Sequence, residues 1–139
     1  MSRPSYEESS HHSLREAFTL LSEMRKKGEF CDITLTAGNI GVAAHKAVLS
    51  SRSLYFRGMF SSGSFKEAGK YSVNLPNISG DALLLVIDYI YNDKVRITKQ
   101  NIKSLLHASD FLQLDDLTAM CGQFLKDRLN ITNWLVIIR

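Results

Sequence analysis

The chain has no run of about twenty uninterrupted apolar residues, the length a helix needs to cross a bilayer, so no transmembrane helix and no membrane partner are expected. The opening stretch MSRPSYEESSHHS is polar and lacks the apolar centre of a secretory signal. The expected location is therefore intracellular, in the cytoplasm with the nucleus as a second compartment, and the sequons Asn77-Ile78-Ser79 and Asn130-Ile131-Thr132 read as accidental. Cysteine is scarce. Cys31 and Cys121 lie far apart and each adjoins apolar residues (Phe30 and Ile33; Met120 and Phe124), which predicts two buried, reduced thiols rather than a disulfide or a metal pair. A block of one charge sign is missing as well: 17 Lys and Arg interleave with 14 Asp and Glu in most stretches, for a net +3. That balance argues against a nucleic-acid partner.

Catalytic and cofactor motifs are equally thin. The two glycines of SSGSFKEAGKY, Gly63 and Gly69, precede Lys70 like a phosphate loop, but the spacing is one residue too long and Tyr71 stands where a hydroxyl ligand to magnesium belongs. His11 and His12 are adjacent, not four apart on one helix face, and neither His45 nor His107 has a metal-binding companion. His45 instead reads as a hydrogen-bonded residue opening a helix. No Gly-x-Ser-x-Gly elbow exposes a nucleophile. Asp115 and Asp116 diverge by about 100° on a helix, so they cannot jointly flank a reacting bond and serve better as charge at a helix amino terminus. The expectation is a non-enzymatic domain with no cofactor and no metal.

At 139 residues the chain fits a single core. Residues 1–12 read as a flexible tail, and Ser13-x-x-Glu16 as a capping box opening a helix that carries Leu14, Phe18, Leu21 and Met24 and stops at Lys26-Lys27-Gly28. Ala17 and Leu20 make that apolar stripe wider than a lone surface helix needs, which leaves either a broad core face or a face for a partner. From Cys31 the period becomes two: Ile33, Leu35 and Ala37, a turn at Gly38-Asn39, then Ile40 and Val42 form a hairpin. HKAVLSSRSLYFRGMF supplies two short helices with Ser51 or Ser53 as a cap, and Tyr71, Val73 and Leu75 a third strand ended by Pro76. A helix capped by Ser79 is apolar nearly all round from Leu83 to Tyr91 and should be the centre of the core. Thr98 then caps a helix with Ile102, Leu105 and Ala108, and another with Leu117, Cys121 and Phe124 completes a helical hairpin. The class is α+β, a small three-stranded sheet packed against a mostly helical bundle.

The ordered blocks FCDITL, AHKAVLSSRSLYFRGMF, LLLVIDYIYNDKV and NIKSLLHASDFLQLDDLTAMCGQFL resemble the BTB (POZ) domain of kelch-like proteins. The likeness runs from about Leu14 to Leu129 and sets the expected BTB domain at 13–129, with Asp32 and Lys46 at the family's charged positions after Cys and after Ala-His. It implies a homodimer built through the first helix, with Leu14, Phe18, Leu21 and Met24 at the interface. It also implies a cullin partner, because Phe65-Lys66-Glu67 fits the apolar-x-Glu signature of cullin-binding members, with Gln100, Asn101 and Ser104 lining the same surface. Physically, an aromatic can plug a hollow on a partner while the carboxylate meets a helix amino terminus or a cation; the alternative is a Phe folded back on its own domain.

Departures from the pattern are Gly58, where YFRGMF replaces the usual small helix former, and Trp134, where the family tends to a small residue or Cys. Residues 130–139 read as the truncated start of the three-box helix, so a substrate would be held by a downstream receptor domain beyond Arg139. The implied role is a dimeric adaptor of a cullin-RING ubiquitin ligase. Two rivals stay open: a transcriptional regulator whose BTB dimer recruits corepressor peptides, and an oligomerisation scaffold that never meets a cullin.

Overall fold

The computed structural model describes residues 4–63 and 71–128. Phe65, Lys66, Glu67 and Trp134, together with the expected three-box start, lie outside them. Helix α1 (His11–Lys27) begins earlier than the sequence predicts: Ser10, not Ser13, is the cap, and its hydroxyl accepts the Ser13 N–H. The physical reason is visible in Glu16, which pairs with His12 at 3.0 Å instead of reaching back to Ser13. His11 and His12 are therefore first-turn residues and not part of a tail. The helix ends at Gly28, whose φ of 74° is the left-handed conformation that closes a helix and that a side chain resists.

Strands β1 (Ile33–Ala37) and β2 (Ile40–Ala44) form the expected hairpin, with Leu35 opposite Val42. Of the two loop residues only Gly38 has positive φ, 60°, the pattern of a type II′ turn whose twist suits paired strands. Helices α2 (Lys46–Arg52) and α3 (Leu54–Ser61) then carry the chain across, so β3 (Ser72–Asn74) joins the other edge of β1 in parallel, Val73 beside Leu35. The sheet order is β2-β1-β3.

Ser53 separates α2 from α3 and makes both ends of that corner work. Its hydroxyl accepts the Phe56 N–H at 3.2 Å and donates to the Leu112 carbonyl at 2.6 Å, tying the start of α3 to a distant loop. Helix α4 (Gly80–Asn92), capped by Ser79, buries Ala82, Leu83, Val86, Ile87, Tyr89, Ile90 and Tyr91 and so forms the middle of the core. Helices α5 (Ile102–Phe111) and α6 (Asp115–Arg128) pack as a hairpin through buried Leu105, Ala108, Leu112, Leu114, Leu117 and Cys121. The Thr98 cap is part of a reciprocal box: its hydroxyl accepts the Asn101 N–H while the Asn101 carbonyl side-chain oxygen accepts the Thr98 N–H, so regular α5 starts only at Ile102.

Candidate interaction surfaces

Helix α1 lies against α4, and polar groups fix the contact at one end. The Arg25 guanidinium sits 5.1 Å above the Tyr91 ring and pairs with Asp88 at 3.1 Å. Tyr91 is almost fully buried, and its hydroxyl accepts the His45 backbone N–H at 2.9 Å. The Glu29 carbonyl can only accept, so His45 Nε2 donates to it at 2.9 Å, and in the neutral ring Nδ1 then accepts the Tyr91 hydroxyl proton at 2.6 Å. The Cys31 thiol also approaches His45 Nε2, at 3.7 Å, and burial pushes the Tyr91 phenol from its ordinary 10.0 up to about 12. His45 does open α2, as the sequence indicates, but its side chain is not the cap. Asp32 supplies that: its carboxylate accepts the Lys46 N–H at 2.7 Å, placing negative charge at the α2 amino terminus. Asp32 and Lys46, fourteen positions apart, thus meet through a backbone amide.

The expectation of two buried thiols holds for Cys121 and fails for Cys31. Phe30 points into solvent at 82% exposure on a left-handed backbone, so it gives its neighbour no cover, and Cys31 is half-buried. Both thiols are free, and burial holds both above the usual range, with Arg25 partly opposing this at Cys31. Neither is poised as a thiolate.

The other end of α1 is open. Leu14 and Phe18 line a groove of about 530 Å³ whose far wall is Ile90 to Lys94 and Arg52. The four residues expected at a dimer interface do not act alike: Leu14 and Phe18 are exposed, at 61% and 38%, whereas Leu21 packs on the core and Met24 is half-buried. A second apolar row, Ala17, Leu20 and Met24, recurs at helical spacing about a quarter turn away. Leu20 is 56% exposed, so the wide stripe is two faces, one packed on this chain through Leu21 and one that leaves Leu20 open among the described residues.

At the start of α5, Gln100, Lys103, Ser104, His107 and Ser79 surround a shallow cavity of about 470 Å³. Here the expected contact residues divide by chemistry. Gln100 is exposed; Ser104 is half-buried and donates to the Asn101 carbonyl; the Asn101 amide is committed at both ends, to Thr98 N–H and to the Arg96 carbonyl. Lys103 and His107, which sequence reasoning did not single out for this surface, complete the rim, and His107 Nε2 is fixed by the Asn77 carbonyl at 2.9 Å. Only the spacing of Gln100, Lys103 and Ser104 on one helical face could have brought Lys103 forward.

A small sheet, a buried central helix and two open faces built from exposed apolar and polar side chains define a protein-interaction module. A BTB/POZ domain profile matches residues 21–129, and the chain belongs to that family. It is 37% identical over 130 residues to kelch-like protein 3 of Danio rerio, covering 92% of this chain and 22% of the relative, and 34% identical over 124 residues to kelch-like protein 2 of Homo sapiens, covering 89% and 21%. The chain spans about a fifth of the length of these curated relatives. Among solved structures, the BTB domain of zebrafish PATZ1 superposes with a TM-score of 0.78 at 27% identity, and that of human gigaxonin with 0.76 at 25%; each alignment covers 88% of this chain and 99% of the other.

Proposed function

We propose that this domain is a homodimeric, non-catalytic adaptor that recruits a cullin scaffold, acting in the cytoplasm for a ligase whose substrate is held by a separate receptor region. The observation that carries the reading is the kelch-like relationship across nearly the whole chain. The second apolar row of α1 supports dimerisation, since burying one exposed Leu or Phe is worth about 1.5 to 3 kcal/mol and a two-fold axis doubles each contact. The cavity at Gln100 and Ser104 supports a docking surface on α5.

On this reading Phe65 and Glu67 are the anchor pair and Lys66 between them is indifferent. The test is calorimetric titration of a cullin amino-terminal domain into the protein and into Phe65→Ala. An anchor predicts a loss of about 2 kcal/mol in binding, roughly thirtyfold, with the melting temperature unchanged. Loss of fold stability in Phe65→Ala would instead place the ring in the core. Binding of a corepressor peptide in place of the cullin would move the assignment to the transcriptional class.

A further inference from the structure

Between Asp93 and Asp110 the chain carries Lys94, Arg96, Lys99 and Lys103 and no acid at all. All four cations are exposed, and none makes an ion pair among the described residues. The nearest flanking acid, Asp93, is already held by Arg52 at 2.7 Å. Along the first part of this α4–α5 connection exposure alternates: Lys94 and Arg96 face out, Val95 and Ile97 pack on the core. The strip is continuous with both open surfaces, because Lys94 lines the α1 groove and Lys103 the α5 cavity.

We propose that this connection is a docking strip for an extended acidic segment of another protein. Lys94 and Arg96 alternate with the packed Val95 and Ile97, a spacing of about 7 Å on extended backbone that matches acids at alternate positions of a peptide, and Lys99 in the following turn and Lys103 on α5 carry the positive charge further along the connection. Unpaired cations in a row favour such a ligand electrostatically and steer its approach. A single-stranded nucleic acid is the poorer fit, because no Phe, Tyr or Trp lies between Asn92 and Phe111 to stack a base. A lipid surface fits less well, since Val95 and Ile97 turn inward and leave no apolar side chain to insert there. The acids of this chain's own amino-terminal segment, Glu7 and Glu8, are adjacent, so in an extended chain they point to opposite sides and only one can face the strip.

The probe is a labelled peptide of about twelve residues alternating Glu and Thr, followed by fluorescence anisotropy at low and at physiological salt. The expected result is salt-sensitive binding that the combined Lys94→Glu, Arg96→Glu, Lys99→Glu, Lys103→Glu variant weakens at least about tenfold. The same charge change made at Lys26, Lys27, Arg57 and Lys126 should leave affinity within about twofold. The milder pair Lys94→Gln, Arg96→Gln, with the circular-dichroism spectrum unchanged, should give an intermediate loss. No binding, or equal loss in both charge-reversed variants, overturns the proposal. So does tighter binding of an oligothymidylate of equal charge. Deletion of residues 1–9, if it strengthens peptide binding several-fold, shows that the strip belongs to the chain's own tail and overturns it too.

Discussion

The two ends of α1 are built on opposite principles. At its carboxyl end Arg25 stacks on the buried Tyr91, and Tyr91 and the Glu29 carbonyl hold both nitrogens of the buried His45 ring; among the described residues the buried Arg25 Nε is left without a partner. Towards its amino end, Leu14, Phe18 and Leu20 leave apolar area in water. Polar bonds that close within the chain, as those of His45 and Tyr91 do, specify one arrangement of their parts and gain little from a partner. An exposed apolar row does the reverse: it adds little to the isolated domain and gains free energy when something covers it. Substitutions at the first end should therefore read out in folding, and those at the second in association.

The largest expected effect comes from taking one oxygen out of the network. Tyr91→Phe keeps the ring under Arg25 but leaves the His45 N–H and Nδ1 without partners in a buried site, at about 1 to 3 kcal/mol for each orphaned group, so unfolding free energy by urea titration should fall by about 2 to 4 kcal/mol. The same substitution sharpens a pH prediction. The phenol's value is raised on folding from 10.0 to about 12, so its contribution is fully present below pH 10.0 and is lost as pH rises toward about 12. Two units correspond to about 2 to 3 kcal/mol. The difference between the wild-type and Tyr91→Phe stability curves isolates this limb from other groups titrating there, Tyr89 among them. A difference that stays flat through that window would mean the hydroxyl is not shielded from water.

A smaller effect is expected at Asp32. Asp32→Ala removes the carboxylate that accepts the Lys46 N–H at the α2 amino terminus, and should cost about 1 kcal/mol, the usual value of a helix cap. Asp32→Asn keeps an acceptor oxygen and should recover most of that, whereas Lys46→Ala leaves the backbone amide in place and should matter little to this bond.

How much of this was legible follows from the range of each interaction. The Ser79 cap, the Gly38 turn and the all-round apolar α4 are signalled by residues within four positions of the effect, and the sequence places them correctly, while of the two caps it offers for α3, Ser51 and Ser53, the structure uses Ser53. Ser10 displaced Ser13 as a cap because a local competitor, the His12 to Glu16 pair, removed the other half of the predicted box. The parallel alignment of β3, the Asp32 cap of a helix fourteen residues on, and the Tyr91 to His45 bonds across 46 positions depend on which segments the core brings together, and no local period encodes that. The exposure of Cys31 was misread for the same reason: an apolar neighbour in sequence, Phe30, is not a neighbour in space once its backbone turns left-handed. On the α5 surface, Gln100 and Ser104 were legible as a helical face, while the internal use of Asn101 was not.

The smallest effect on folding, and the sharpest on assembly, is expected on the outer row of α1. Leu20 is 56% exposed and lies about a quarter turn from the side that meets α4, so Leu20→Asp removes no core volume and should change unfolding free energy by no more than about 0.5 kcal/mol. At a two-fold interface through this row the same change places a carboxylate in the apolar contact from each side, so light scattering should fall from twice 15.7 kDa to the single-chain mass. Leu21→Asp, one position on, is the control that separates the faces: its side chain packs on the core, and the loss should appear as unfolding whether or not a dimer forms. Phe18→Asp is the intermediate case, because that ring lines the α1–α4 groove and is still 38% exposed. A dimer that survives Leu20→Asp intact would show that the outer row is not the contact, and would move the interface to the groove of Leu14 and Phe18.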